Sequence, residues 1–290
     1  MDGKLLALTS AFFFGIGPVV LSLGFQKASS DLAVLTTYVF GLPMLVLLSP
    51  FLGGFQLDGL SLGTLLLFAA GGLLGPLLGR TLLYNGIERL GSSRAFTIKN
   101  AAPLVTATLA TLVLSEPVVL RRWLAIVVIV IGLAIIGKRS SVAPGPLPRR
   151  VSGLILAVLS AISFGLQPVV MKLGLQESAE PLSASVIGTA AALLGFLLYL
   201  LFSGRLRSLQ FDRRSLGFFG FVGVAHTLGF LTINFAVNAD DVTLVYPISA
   251  TAPLFTFVMS YFLLKNVERL TLWDLVGMLA IMAGVVVLFK

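Results

Sequence analysis

The chain contains no cysteine and a single histidine among its 290 residues. Disulfides, thiol catalysis and cysteine-based metal sites are thereby excluded, and neither a metal site nor a cofactor is expected. Charge is scarce as well: 11% of the residues are Asp, Glu, Lys or Arg, against about 25% in a soluble domain, whose surface must face water. With 57% hydrophobic residues and a mean hydropathy of +1.04, the chain lacks the polar surface that solubility requires. No carboxylate lies deep inside an apolar run; Glu88, Glu116, Asp240 and Asp241 all fall near run ends. No Walker-type phosphate loop occurs, so direct ATP drive is not expected. The net charge of +8 could point to nucleic acid. The cations, however, are scattered through short loops between apolar runs, where they read as topology signals and lipid-headgroup contacts.

Long apolar runs are what the chain has. They fall at roughly 5–27, 32–52, 61–87, 92–114, 121–138, 153–176, 182–203, 215–238, 242–264 and 271–289, each close to the ~20 residues that cross a bilayer as a helix. The first run is longer than a signal-peptide core and has no clear small-x-small cleavage site, so it reads as a membrane helix. The stretch rich in Pro, Ser and basic residues from Lys138 to Ser152 divides the spans five and five. The expected organisation is a first repeat over 1–138, a linker over 139–152 and a second repeat over 153–290.

The halves repeat. Ala11–Gln26 and Ala161–Gln176 agree at 9 of 16 positions at an offset of 150, where chance gives about two. The same offset pairs Gly79 with Gly229, Ala102-Pro103-Leu104 with Ala252-Pro253-Leu254, Thr106 with Thr256, and Trp123 with Trp273. Because five is odd, the second half enters the membrane from the opposite side. The repeats are then related by a pseudo-two-fold axis in the membrane plane, an arrangement that lets one central site face either side in turn. The fold class read from this is an all-α membrane protein of ten transmembrane helices in two inverted five-helix repeats, and transport by alternating access is the expected activity.

Phe14-Gly15 with Pro18-Val19-Val20, their counterparts Phe164-Gly165 with Pro168-Val169-Val170 and Lys172, the Ala-Pro pairs, and Glu116 closing the fourth span together resemble the ten-helix EamA-type branch of the drug/metabolite transporter superfamily. That family usually has Trp where Phe14 and Phe164 stand. The resemblance implies a central cavity lined by spans one, three, four, six, eight and nine, and substrates ranging from amino acids to sugar phosphates and nucleotide sugars.

Ionisable groups inside a span mark a pathway by default. Four qualify: Arg80, Lys99, Lys172 and His226. Arg80 and Lys99 flank the loop between spans three and four, each roughly 12 Å inside the same face at 1.5 Å rise per residue. Two cations without an acidic partner at that depth favour an anionic substrate, a phosphate or a carboxylate; snorkelling to headgroups is the structural alternative. His226 titrates near neutral pH when unperturbed, or serves as a neutral hydrogen-bonding group. Tyr84 and Asn234 are related by the offset of 150 and should face one cavity from opposite sides. Asn100, Gln167 and Tyr246 complete the substrate-binding candidates. Pro18, Pro103, Pro168 and Pro253 are hinge or kink candidates. Gly71, Gly75 and Gly79 form a stripe for close helix packing.

Termini and even-numbered loops carry four cations and odd-numbered loops thirteen; the positive-inside rule places the odd loops in the cytoplasm, whereas the resembled family is usually drawn with both termini inside. The chain is read as a non-enzymatic secondary transporter of the cell membrane whose partners are the bilayer and a small-molecule substrate, as a monomer or homodimer. The competing readings are an exporter of neutral amino acids or drug-like compounds, and, from other classes, a membrane enzyme or a channel.

Overall fold

A computed structural model describes residues 2–24, 29–90, 95, 98–137, 147–209, 212–263 and 272–289. Among these, twelve α-helices build ten spans and no strand occurs. α1 (Gly3–Gly24) and α2 (Ser30–Leu48) are the first two. The third is α3 (Leu62–Gly72), a π-helical stretch over Leu73–Gly79, and α4 (Arg80–Leu90). The fourth ends in α5 (Ala102–Val113), and α6 (Leu120–Gly137) is the fifth. α7 (Leu147–Ser178), α8 (Pro181–Phe202) and α9 (Arg213–Ala239) are the sixth to eighth. The ninth combines α10 (Val242–Ser249) with α11 (Ala252–Leu263), and α12 (Leu272–Phe289) is the tenth. α7 begins inside the stretch read from sequence as linker; residues 139–146 lie outside the described ones. Asp31–Leu52, Leu62–Leu83, Val151–Ser178, Pro181–Phe202 and Arg213–Ala239 are each long and apolar enough to cross a bilayer, and shorter apolar helices supply other spans.

The interruptions follow proline. Spans four and nine both break immediately before an Ala-Pro pair, so Pro103 and Pro253 sit in the first turn of α5 and α11, where the missing N–H costs nothing. Pro76 lies within the π-helical stretch and Pro168 within α7. Pro168, inside its helix, frees the Phe164 carbonyl one turn upstream, and in lipid that oxygen needs another donor.

Serine and threonine hydroxyls also tie the two halves together, in two-fold-related pairs. Ser160 Oγ donates to the Gly79 carbonyl at 2.8 Å, and its counterpart Ser10 donates to the Gly229 carbonyl at 2.9 Å. Thr106 donates to the Gly165 carbonyl at 3.0 Å, and Thr256 to that of Gly15 at 2.8 Å. Span six is thus sewn to spans three and four, and span one to spans eight and nine. Ser163 adds a bond to Leu74 O at 2.8 Å, and Tyr38 one to Pro76 O at 2.7 Å, both on the π-helical stretch.

The glycine stripe of span three faces span six. Met171, Gln167 and Phe164 fill the places that side chains at Gly71, Gly75 and Gly79 would take. Next to the stripe, Gly72 lies against the backbone of Gly188 on α8, and a Cβ there would fall on the Gly188 carbonyl. Gly217, inside α9, has nothing within 4 Å of an added Cβ. Gly72→Ala is therefore expected to destabilise the protein by about 1–3 kcal/mol through overpacking, lowering Tm by several degrees in a detergent melt. Gly217→Ala should be neutral or stabilising by up to about 1 kcal/mol, because it removes glycine's helix penalty.

Candidate functional site

Five of the polar groups proposed from sequence, Arg80, Lys99, Asn100, Gln167 and His226, lie on spans three, four, six and eight. Arg80 opens α4 directly after the π-helical stretch, and its guanidinium lies 5.4 Å from the centre of the Tyr38 ring on α2. Lys99 stands in the short helical turn before α5, its Nζ 4.9 Å from the centre of the Phe164 ring on α7. That ring also packs on Gly79, the residue before Arg80. Both cations therefore border Phe164 or its immediate neighbours. Among the described residues neither has an ion pair or a hydrogen bond; the ion pairs found there are Arg122–Asp241 and Arg205–Asp31.

His226 faces this group from α9. Its ring meets Phe14 edge-on at 5.8 Å and packs on Gly17 of α1. Gln167 packs on Gly75 in the corresponding place of the other half, since position 167 is the counterpart of Gly17. Gln167 and Asn100 are 7% and 9% exposed. Among the described residues no hydrogen bond engages either amide, nor the His226 imidazole. Three uncommitted polar side chains and two uncommitted cations leave donors and acceptors for a ligand.

The remaining candidates are placed differently. The Tyr246 hydroxyl donates to the Phe164 carbonyl at 2.8 Å, the oxygen that Pro168 strips of its helical partner. Asn234 is 1% exposed and donates to Ser185 Oγ on α8 at 2.9 Å. Lys172 lies at one end of the bundle, donating to the Val237 and Asp240 carbonyls at 2.6 and 3.0 Å. The side chains of Tyr84 and Pro18 lie outside the described ones. Sequence reasoning missed Tyr38: nothing in the apolar run of span two distinguishes the ring beneath Arg80. Phe14 and Phe164 were visible as a repeated motif, but not as the rings that meet His226 and Lys99.

The model of the EamA-like transporter family matches this chain twice, over residues 1–138 and 151–290. A solved crystal structure, described only as that of a protein, superposes with a TM-score of 0.79 at 14% identity, covering 98% of this chain and 95% of its own. A search of curated proteins finds no match.

Two substitutions separate scaffold from site. Tyr246→Phe leaves a buried carbonyl without its donor and should cost about 1–3 kcal/mol of stability, read as a lowered Tm. Gln167→Leu removes an amide that satisfies nothing, and should leave Tm unchanged or raised while reducing transport in proteoliposomes.

Proposed function

We propose, of a chain that belongs to the EamA-like transporter family and is therefore an integral membrane transporter of small molecules, that its cargo is a small organic anion carried unchanged across the cell membrane by alternating access. The observation that carries this reading is the pair Arg80 and Lys99, two cations at one inter-repeat site with no carboxylate partner among the described residues. A charged side chain at membrane depth costs about 2.5–3.5 kcal/mol on insertion scales. Stacking on Tyr38 and Phe164 offsets up to about 2 kcal/mol of that when desolvated and leaves the N–H donors uncommitted. A phosphate or carboxylate would engage those donors with charge-assisted hydrogen bonds, and Asn100, Gln167 and His226 would meet its neutral polar groups.

Alternating access is supported by the interlock of the halves. Four of the cross-repeat hydrogen bonds form two-fold-related pairs, so exchanging the conformations of the two repeats would turn the site toward the opposite face. No ATP-binding loop occurs in the sequence, which leaves exchange, facilitated diffusion or ion coupling as the drive.

A thermal-shift screen of purified protein tests the substrate class, with phosphorylated and carboxylate metabolites run against neutral amino acids and lipophilic cations. A ligand at 100 times its Kd should stabilise by about 2.7 kcal/mol. Stabilisation by anions alone, lost in Arg80→Gln/Lys99→Gln, is the expected result; stabilisation by cations or neutral amino acids that survives the double substitution refutes it.

A further inference from the structure

At the face that carries both termini, the turn between spans eight and nine is clamped from three sides. The Glu116 carboxylate, at the end of span four, accepts the backbone N–H groups of Val242 and Thr243 at 2.7 and 2.9 Å. These are the first two residues of α10, where the helix dipole favours a negative charge. Lys172 of α7 donates to the Val237 and Asp240 carbonyls, placing a positive charge at the C-terminal end of α9, where the dipole favours it. Arg122 of α6 pairs with Asp241 at 2.6 Å and reaches Thr243 Oγ1 at 3.3 Å.

The clamp is aimed by its own backbone. Ser115 has a φ of 55°, a left-handed conformation disfavoured for any residue but glycine, and this turn delivers Glu116 to α10. Glu116 is 8% exposed, so its two charge-assisted bonds are largely desolvated. The helix it holds behaves as a plug: every residue of α10 except Tyr246 is buried, and α10 packs against α1, α5, α6 and α7.

None of these charges recurs at its repeat-related position. At the repeat offset of 150, the counterparts of Glu116, Lys172, Arg122, Asp240 and Asp241 are Asn266, Ser22, Leu272, Leu90 and Gly91. All five are uncharged. Four serine and threonine bonds deeper in the bundle obey the two-fold, whereas this set of charges departs from it at every position.

We infer that Glu116, Lys172 and Arg122 form an ionic gate that holds the termini face shut, and that transport opens it. The inference rests on the alternating-access reading, and it assigns gating to Lys172, which the sequence suggested for substrate contact. Breaking the gate shifts the conformational equilibrium toward the state open at the termini face, whatever the substrate.

The absence of native cysteine makes the test clean. Ser249→Cys places one thiol at the inner end of α10, seven residues from the gate. In oriented proteoliposomes a membrane-impermeant maleimide is added from one face at a time, with no substrate present. From the termini face the thiol should react slowly in the parent chain and at least about tenfold faster in Glu116→Gln or Lys172→Gln, the scale expected for losing a buried charge-assisted bond. Labelling from the opposite face should fall in the same variants, since a population shift is reciprocal. Faster labelling from both faces means local loosening and overturns the gate; unchanged labelling in all variants also overturns it. Should Glu116→Gln not accumulate as folded protein, Arg122→Gln, whose contact with Asp241 is part-exposed, carries the same comparison. If the parent chain labels equally from both faces, alternating access itself fails; if the parent is one-sided and the variants match it, only the gate fails.

Discussion

Every feature of this protein answers to the rule that a backbone carbonyl in lipid must find a donor. The chain breaks that rule locally, with Pro76 in a π-helical stretch, Pro168 inside α7, and spans four and nine interrupted before Pro103 and Pro253. The Phe164 carbonyl, which Pro168 deprives of its helical donor, is satisfied by Tyr246 of the same half, and other hydroxyls join the two halves. Ser160, Ser10, Thr106 and Thr256 reach carbonyls of the other half.

Symmetry in the scaffold throws asymmetry in the side chains into relief. Arg80 and Lys99 belong to the first half; their counterparts are Phe230 and Ser249. His226 belongs to the second and its counterpart is Pro76, while Gln167 replaces Gly17. A strictly two-fold site would bind a symmetric ligand in two equivalent ways. This one has Arg80, Lys99 and Asn100 in the first half and Gln167 and His226 in the second, so an anion of the proposed kind would have one preferred orientation. Phe14 and Phe164 keep the two-fold relation, and meet His226 and Lys99 respectively: the aromatic positions are shared and the polar partners differ.

How much of this was legible in the sequence follows from the range of each signal. The ten spans were, because hydropathy over about 20 residues is a local property. The inverted halves were, because a constant offset of 150 survives across four pairs of spans. Arg80 and Lys99 stood out because charge inside an apolar run is rare. The partners of those residues were not legible. Tyr38 lies in an ordinary apolar helix, and only folding brings its ring under the Arg80 guanidinium. Tyr246 could be read as a cavity residue until Pro168 is seen opposite it. Asn234 had the inward spacing expected of a cavity residue and commits its amide to Ser185. A side chain's position along its own helix was readable; what it touches on the next helix depends on rotation and tilt, which apolar patterning in a bilayer does not encode.

Lys172 shows where that limit bears on mechanism. Its place near a helix end suits either a ligand contact or snorkelling, and the structure gives it two carbonyls at the end of α9 instead. Together with Glu116 it brackets the turn between α9 and α10 with the charges that the two helix ends favour. α10 is only eight residues long, about 12 Å at helical rise, and it is rigid over that length. Its outer end is held by Glu116, while Tyr246 and Ser249 near its inner end bond to Phe164 and Ser10. The Phe164 ring is the one on which Lys99 sits. One short helix therefore carries the bonds from Glu116 at its outer end and those to Phe164 and Ser10 further in.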